Sequence, residues 1–387
     1  MNFDETPEQT QLRAAVAALA ARYGHSYFVK KAKEGGHTDE LWSEAGKLGY
    51  LGVNVPAEYG GGGGGITDLA IVAEELAAAG CPLLLLVVSP AIAATIIAKH
   101  ATDEQRQRFL PGIADGTLKI VFAITEPEAG TNSHRLATTA TRDGDEWILN
   151  GRKCFISGVD EAPYVLVVAR TAEGSDTGRL QPALFVVPTD AAGLTRSPLE
   201  MEIVSPEKQW LLYFDDVRVP HSSLIGGDPA AALPALFAGL NPERITVAAG
   251  AVGTARYALS RAASYTKTRS VWGRPIGSHQ GVAHPLAHAQ IQMELARLMV
   301  MKAAWLYDQG RDVEAGIAGN SAKYAAADAA ALAVDTAIQV HGGNGMTTEY
   351  GVATLLGGSR ATRIAPVSRE MILNFVAQHV LGQPKSY

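Results

Sequence analysis

Residues 122–158 read FAITEPEAGTNSHRLATTATRDGDEWILNGRKCFISG, and their alternation and turn residues predict a β-meander. Thr138-Thr139-Ala140-Thr141 runs to an Asp143-Gly144 turn, and Trp147-Ile148-Leu149 runs to Asn150-Gly151. Lys153-Cys154-Phe155-Ile156-Ser157 then returns. Asp-Gly and Asn-Gly supply the positive φ angles that tight hairpins require. A compact polar loop, Thr125 to Asn132, precedes the first hairpin. Its glycine and hydroxyl groups could present backbone N–H groups to a planar or anionic ligand. The same composition also fits a solvated loop leading into a hairpin.

On either side of this stretch the period changes from strand to helix. Candidate helices before it cover 8–22, 38–48, 68–79, 83–99 and 103–113, with Thr102–Glu104 and Thr67-Asp68 as candidate caps. Tyr59 and the six glycines 60–65 lie between the second and third. No Gly-Lys-Ser/Thr follows, so the run is no Walker loop and reads as a flexible connection. Further strands are expected at 164–168, 183–187 and 212–219, the last ending at Pro220. Long helices then occupy 229–266, 282–309, 314–341 and 368–381, with the alanine-rich run 325–331 suited to close packing. The expected organisation is α+β: an N-terminal α-helical domain over 1–120, a middle β-barrel or sheet domain over 121–225, and a C-terminal four-helix bundle over 226–387.

Composition excludes several classes. A chain of 387 residues needs more than one core. With 47% hydrophobic and 19% charged residues it is too apolar for disorder. A net charge of −6, with no local basic block, argues against nucleic acid or anionic membranes as partners. Cys81 and Cys154 form no CxxC or zinc pattern, which suits a reducing compartment. The N-terminus is acidic (Asp4, Glu5, Glu8) and has no signal-peptide order, and the apolar run 82–97 is shorter than the roughly 20 residues that span a bilayer. A cytoplasmic protein is expected. His284 and His288 share a helix face but have no third ligand nearby and Pro285 between them, so no metal is expected.

The wording of 122–158 resembles the acyl-CoA dehydrogenase family, whose sheet domain carries a TEP-x-AG-S/T loop followed by L/I-N-G-x-K-x-W/F-I-T/S. The resemblance extends over the whole chain and implies that family's fold, FAD as cofactor and an acyl-CoA substrate. No GxGxxG joins a strand to a helix here, and the residues alone would not name a flavin. The resemblance places Phe122, Ile124 and Thr125 along one edge of the isoalloxazine ring, and Phe155, Ile156 and Ser157 against its other side. Arg269 to Ile276, followed by His279-Gln280, matches R-x-x-F/W-G-x-x-I-x-x-x-Q. It implies that Arg269 pairs with the pyrophosphate of a neighbouring subunit's FAD, with Trp272 and Gln280 on the adenosine side. Gln339-Val340-His341-Gly342-Gly343-Asn344-Gly345 matches Q-x-x-G-G-x-G, whose Gln339, Gly342 and Gly343 let backbone approach that cofactor. A homotetramer follows from sites completed between subunits, and an electron-transfer flavoprotein is the family's usual acceptor.

The family reaction removes an α-proton from the thioester while the β-hydride passes to the flavin, leaving a trans-2-enoyl-CoA. Many members hold the catalytic Glu in Y-E-G-T, 27 positions after the Gln of QxxGGxG. Counting from Gln339 reaches Pro366, which cannot accept a proton; Ser368 falls on the Thr of that segment and keeps its hydroxyl. One branch, which includes isovaleryl-CoA and long-chain enzymes, carries the Glu on another helix immediately before an Arg. Asn241-Pro242-Glu243-Arg244 fits that position. Glu243 is therefore the expected base, with Asn241 and Arg244 at the substrate, and Thr131 beside the CoA moiety. Read locally, Asn241 could instead cap a helix with Pro242 at its first position and Glu243 favoured by the dipole. Two rivals share the fold: a baseless partner subunit of a heteromeric dehydrogenase, motivated by Pro366, and a flavin monooxygenase. A cofactor-free lipid-binding or scaffold protein would leave the flavin motifs unexplained.

Overall fold

The computed structural model describes residues 4–173 and 179–385. Its first part is helical: α1 (Pro7–Glu34), α2 (Asp39–Lys47), α3 (Ile66–Ala78), a π-helical stretch Val87–Ala94 continuing into α4 (Thr95–His100), and α5 (Asp103–Ala114). Thr102 caps α5 in a capping box closed by Gln105, one residue beyond the expected glutamate. At α3 the expected cap is borne out only at Asp68, which accepts from Gly65 N at 3.2 Å. Gly65 occupies the cap position, and the Asp308 carboxylate accepts from Ile66 N at 2.7 Å and Thr67 N at 2.9 Å.

The glycine run departs from the expected flexible connection. Gly62, Gly63 and Gly64 donate backbone hydrogen bonds to Gly52, Val55 and Val53 at 2.8–2.9 Å. A Cβ on Gly61 would lie 2.2 Å from the Val55 carbonyl oxygen. These glycines form an ordered strap, and at Gly61 and Gly64 a side chain has no room.

The middle of the chain is a seven-stranded sheet, with β1 (Ile120–Ala123), β2 (Thr139–Asp143), β3 (Glu146–Ser157), β4 (Tyr164–Thr171), β5 (Gln181–Pro188), β6 (Leu194–Leu199) and β7 (Gln209–Pro220). Its order is β1-β4-β2-β3-β7-β6, with β5 antiparallel on β4. The Asp143-Gly144 turn joins β2 to β3 as expected, with Asp143 opposite Glu146. Asn150-Gly151 does not reverse the chain. Strand β3 runs straight through it to Ser157, and the pairing with β7 slips between Leu149 and Gly151. Gly151 takes φ 148° where a Cβ would strike Thr138, so the dipeptide makes a bulge and not a hairpin.

Four long or terminal helices follow: α6 (Ala232–Thr268), α7 (Gln280–Asp308), α8 (Asp312–His341) and, after the short α9 (Leu355–Ala361), α10 (Arg369–His379). Between α6 and α7 a two-stranded ribbon, β8 (Ser270–Val271) and β9 (Arg274–Pro275), turns at Trp272-Gly273. Alanines on α6, α7 and α8 meet in the bundle: Ala248, Ala296 and Ala330 are all buried. The α6 of this bundle packs on α3 and on the π-helical stretch, where Gly239 lets Ile92 and Ile96 close against it. An ionic network ties the same parts together, with Arg13 of α1, Arg256 of α6 and Arg297 of α7 converging on Glu74 of α3.

Candidate functional site

The loop after β1 is held from below by a buried ion pair. Lys153 is fully buried and donates to the Ile124 carbonyl at 2.9 Å and to Glu126 Oε1 at 2.8 Å. Glu126 also accepts from Ala137 N and from Thr138 N, at 2.5 and 3.0 Å. Burial opposes its ionisation, but these donors together hold the carboxyl below the usual carboxylate range. Burial pushes the Lys153 ammonium down to about 8 against the pull of Glu126. Cys154 N donates to the Thr125 carbonyl at 2.9 Å, so the loop and β3 are joined at the point where the two motifs meet. Neither the pair nor its role in shaping the loop was visible from composition, although Glu126 and Lys153 both lie inside the quoted stretch.

Just past that junction β3 slips register against β7 between Lys153 and Ile156, and Phe155 takes φ 56°. The slip turns Phe155 outward, 59% exposed, while Ile156 points into the core. Ser157 and Gln209 exchange hydrogen bonds at 2.9–3.1 Å. Phe122 is buried in β1, and Ile124 and Thr125 are half-buried beside the loop. Thr131 lies exposed further along it. The structure thus gathers Phe122, Ile124, Thr125, Phe155 and Ser157 at one end of the sheet, while the Ile156 side chain is turned into the core.

The second group lies elsewhere on the chain. Trp272 and Gly273 have φ 52° and 78°, the paired positive angles of a type I′ hairpin turn. The turn holds Trp272 88% exposed, its edge against His279 at 5.8 Å. Arg269 and Gln280 are exposed beside it. Gln339 is exposed near the end of α8, where its carbonyl accepts from Gly342 N, and Gly342 and Gly343 follow in the open. Among the described residues, three other than glycine have positive φ: Phe155, Asp216 and Trp272. A large aromatic side chain in this region is strained by about 1–3 kcal/mol. Two of the three strained positions, Phe155 and Trp272, therefore carry exposed aromatic rings.

Asn241 does not cap a helix. Helix α6 runs unbroken from Ala232, and Pro242 sits in its interior, so Glu243 gains nothing from a helix N-terminus. Glu243 is half-buried, and no described residue donates a hydrogen bond to its carboxylate. Burial pushes this carboxyl up to about 7, opposed by the positive charges of Arg244 and Lys323. Arg244 donates to Asn241 Oδ1 at 3.3 Å, its buried Nε has no partner among the described residues, and burial holds its guanidinium below the usual range against the pull of Glu243. Asn241 in turn donates to the Asp312 carbonyl at 3.3 Å.

Pro366 lies in the segment between α9 and α10, and Ser368 caps α10 by accepting from Met371 N at 3.3 Å. Next to this segment lies Lys323 of α8, which sequence reasoning passed over. It is 1% exposed and donates to the Val367 carbonyl at 2.5 Å. Its one sequence signal is a lone lysine beside an alanine-rich face. No group of three or more metal-binding side chains is assembled among the described residues.

The chain matches three family descriptions in series: "Acyl-CoA dehydrogenase, N-terminal domain" over 6–117, its "middle domain" over 121–217 and its "C-terminal domain" over 233–381. It is 60% identical to acyl-CoA dehydrogenase FadE12 of Mycobacterium tuberculosis, over 100% of this chain and 99% of that one. The fold superposes on butyryl-CoA dehydrogenase from Megasphaera elsdenii with TM-score 0.91 at 28% identity, covering 98% of this chain and 100% of that one. Glutaryl-CoA dehydrogenase from Mycobacterium smegmatis in complex with FADH2 superposes with TM-score 0.88 at 25% identity, covering 99% and 96%.

Proposed function

Because the chain belongs to the acyl-CoA dehydrogenase family, we propose that it converts an acyl-CoA thioester to the trans-2-enoyl-CoA, with Glu243 as the base. It is an oxidoreductase that acts on acyl-CoA and carries FAD. The observation that carries the assignment is the state of Glu243. Its half-buried carboxyl accepts no hydrogen bond from a described residue, and burial pushes it up to about 7. A free, desolvated carboxylate is a competent acceptor for the weakly acidic proton beside a thioester carbonyl. Pro366 offers no such group, whereas the half-buried, unbonded Glu243 does.

The exposed rings of Phe155 and Trp272, and the free guanidinium of Arg269, fit the parts of FAD in different ways. Phe155, with Thr125 and the backbone around Ile156 and Ser157, would hold the flavin ring; Phe122 and Ile124 back that surface. Arg269, Trp272, Gln280 and the Gln339–Gly343 loop would hold the adenosine diphosphate half of a neighbouring subunit's cofactor, which implies a homotetramer. Ser368 Oγ accepts from Met371 N in a helix cap, which leaves its O–H free to donate to a flavin acceptor. When bound, FAD accepts the β-hydride. Glu243 takes the α-proton, Asn241 and Arg244 line the approach, and Thr131 offers a hydroxyl to the CoA arm. An electron-transfer flavoprotein is the proposed oxidant.

Glu243→Gln tests the base. The variant is expected to purify yellow with wild-type FAD content, while acyl-CoA-dependent bleaching under anaerobic conditions slows about 10²–10⁴-fold. In the wild type the rate should rise as pH passes about 7, where the base loses its proton. Near wild-type bleaching by the variant, across straight-chain, branched and ring-bearing acyl-CoAs, would remove Glu243 from the mechanism.

A further inference from the structure

Tyr265 lies one turn before Arg269 on α6, and its backbone and side chain serve two different motifs. Its carbonyl accepts from Arg269 N at 2.9 Å, at the foot of the Trp272 hairpin. Its hydroxyl accepts from Asn344 Nδ2 at 3.1 Å, in the turn Gly342–Met346 that follows α8. Its ring is stacked on His341, with centroids 4.3 Å apart and planes at 25°. Tyr350 meets the same ring edge-on at 5.4 Å and 90°. His341 is buried, and its Nδ1–H donates to the Ala337 carbonyl at 2.6 Å, which holds the stack in place.

The other hydrogen bonds of the glycine turn stay within it and the end of α8. Gly342 N donates to Gln339 O, and Thr347 donates to Asn344 O through N at 3.1 Å and through Oγ1 at 2.9 Å. Among the described residues, Asn344–Tyr265 is the one hydrogen bond between this turn and α6. Gly342, at φ 59° and ψ −138°, and Gly343 have open space where a Cβ would stand. An open glycine segment has much conformational freedom to lose when it closes on a ligand. A contact that fixes it in advance lowers that cost.

We propose that Tyr265 is a positioning residue: it sets the 342–346 turn against Arg269, so that the backbone of one motif and the cation of the other form one surface for the adenosine diphosphate half of the cofactor. The inference rests on the reading of these motifs as the site for a neighbouring subunit's FAD. Tyr265→Phe, Asn344→Ala and the double variant, each purified with FAD bound, test it. Phenylalanine keeps a ring between His341 and Tyr350 and removes only the hydroxyl. The dissociation constant for FAD is read from flavin fluorescence across a dilution series.

Each single variant should bind FAD about three- to tenfold more weakly. The double variant should bind no more weakly than the singles, because both remove the same bond. The visible spectrum of the flavin still bound should match wild type, since the ring surface at Phe155 is untouched. Wild-type affinity in either single variant, losses that add in the double, or an altered spectrum overturns the proposal and leaves Tyr265 part of the packing of α6 on α8. Arg269→Ala, run in parallel, separates the two ideas. If it too binds FAD as wild type does, the reading of these motifs falls. If it weakens FAD binding while Tyr265→Phe does not, only the present inference falls.

Discussion

At the scale of single residues, strain and exposure fall on the same side chains. Phe155 is held at φ 56° with its ring in the open, a position that costs stability unless something covers the ring. Asn tolerates this backbone far better than Phe and exposes no apolar surface. Phe155→Asn should therefore raise the stability of the FAD-free protein, by about 1 kcal/mol, and at the same time weaken FAD retention. Chemical denaturation of the deflavinated protein and flavin release on dilution measure the two effects. A variant that is destabilised when FAD-free would mean that the ring packs on protein and is not held out for a ligand. The buried Lys153–Glu126 pair belongs to the same design: it fixes the carbonyls of Ile124 and, through Cys154 N, of Thr125, against which that ring would have to be aligned.

At the scale of elements, local signals and tertiary contacts diverge at identifiable places. Asp143-Gly144 and Asn150-Gly151 look alike in sequence, yet one turns the chain and the other bulges a continuous strand. What separates them is β7, which pairs along β3 on both sides of Gly151 and lies more than 50 residues away. Asn241-Pro242 reads as a helix start, but packing on α3, α8 and the π-helical stretch carries α6 straight through it. The long helices, the apolar strands and the order of layers were legible because periodicity reports burial directly. The flavin motifs were legible only through family likeness, and Lys323 not at all, because its partner is a backbone carbonyl in a distant segment. The cap of α3 was hidden for the same reason. Its acceptor is Asp308, at the end of α7, which takes Ile66 N, Thr67 N and Thr67 Oγ1. Asp308→Ala should cost about 1–2 kcal/mol in reversible denaturation and loosen the glycine strap first, seen as faster amide exchange at 62–66. Asp308→Asn should recover part of the loss. Unchanged stability in the alanine variant would show that Asp68, which accepts from Gly65 N at 3.2 Å, caps the helix alone.

At the scale of the whole molecule, the single chain leaves two surfaces open that a soluble monomer has no reason to keep. Ile291, Leu295, Leu298 and Trp305 are exposed along one face of α7, at spacings that return to the same side of a helix. The Trp272 hairpin stands out from the junction of α6 and α7, with Arg269 at its base and no acidic partner for the guanidinium among the described residues. An apolar helix face beside an unpaired cation and an exposed ring suits an assembly in which each subunit helps to hold its neighbour's cofactor. The arrangement couples two properties that are otherwise independent. If Arg269 meets a phosphate of the neighbouring subunit's FAD, losing it removes charge-assisted hydrogen bonds worth about 1.5–3 kcal/mol. FAD binding then weakens by about ten- to a hundredfold. With a cofactor held between subunits, as proposed above, the assembly would also dissociate at higher protein concentration when FAD is stripped. Arg269→Ala is thus expected to lower the flavin-to-protein ratio and shift the sedimentation profile towards smaller species, with added FAD reversing both. Full flavin content in an undisturbed oligomer would place Arg269 on an ordinary solvent-exposed turn. Loss of the oligomer with FAD retained would separate the apolar face of α7 from the cofactor site.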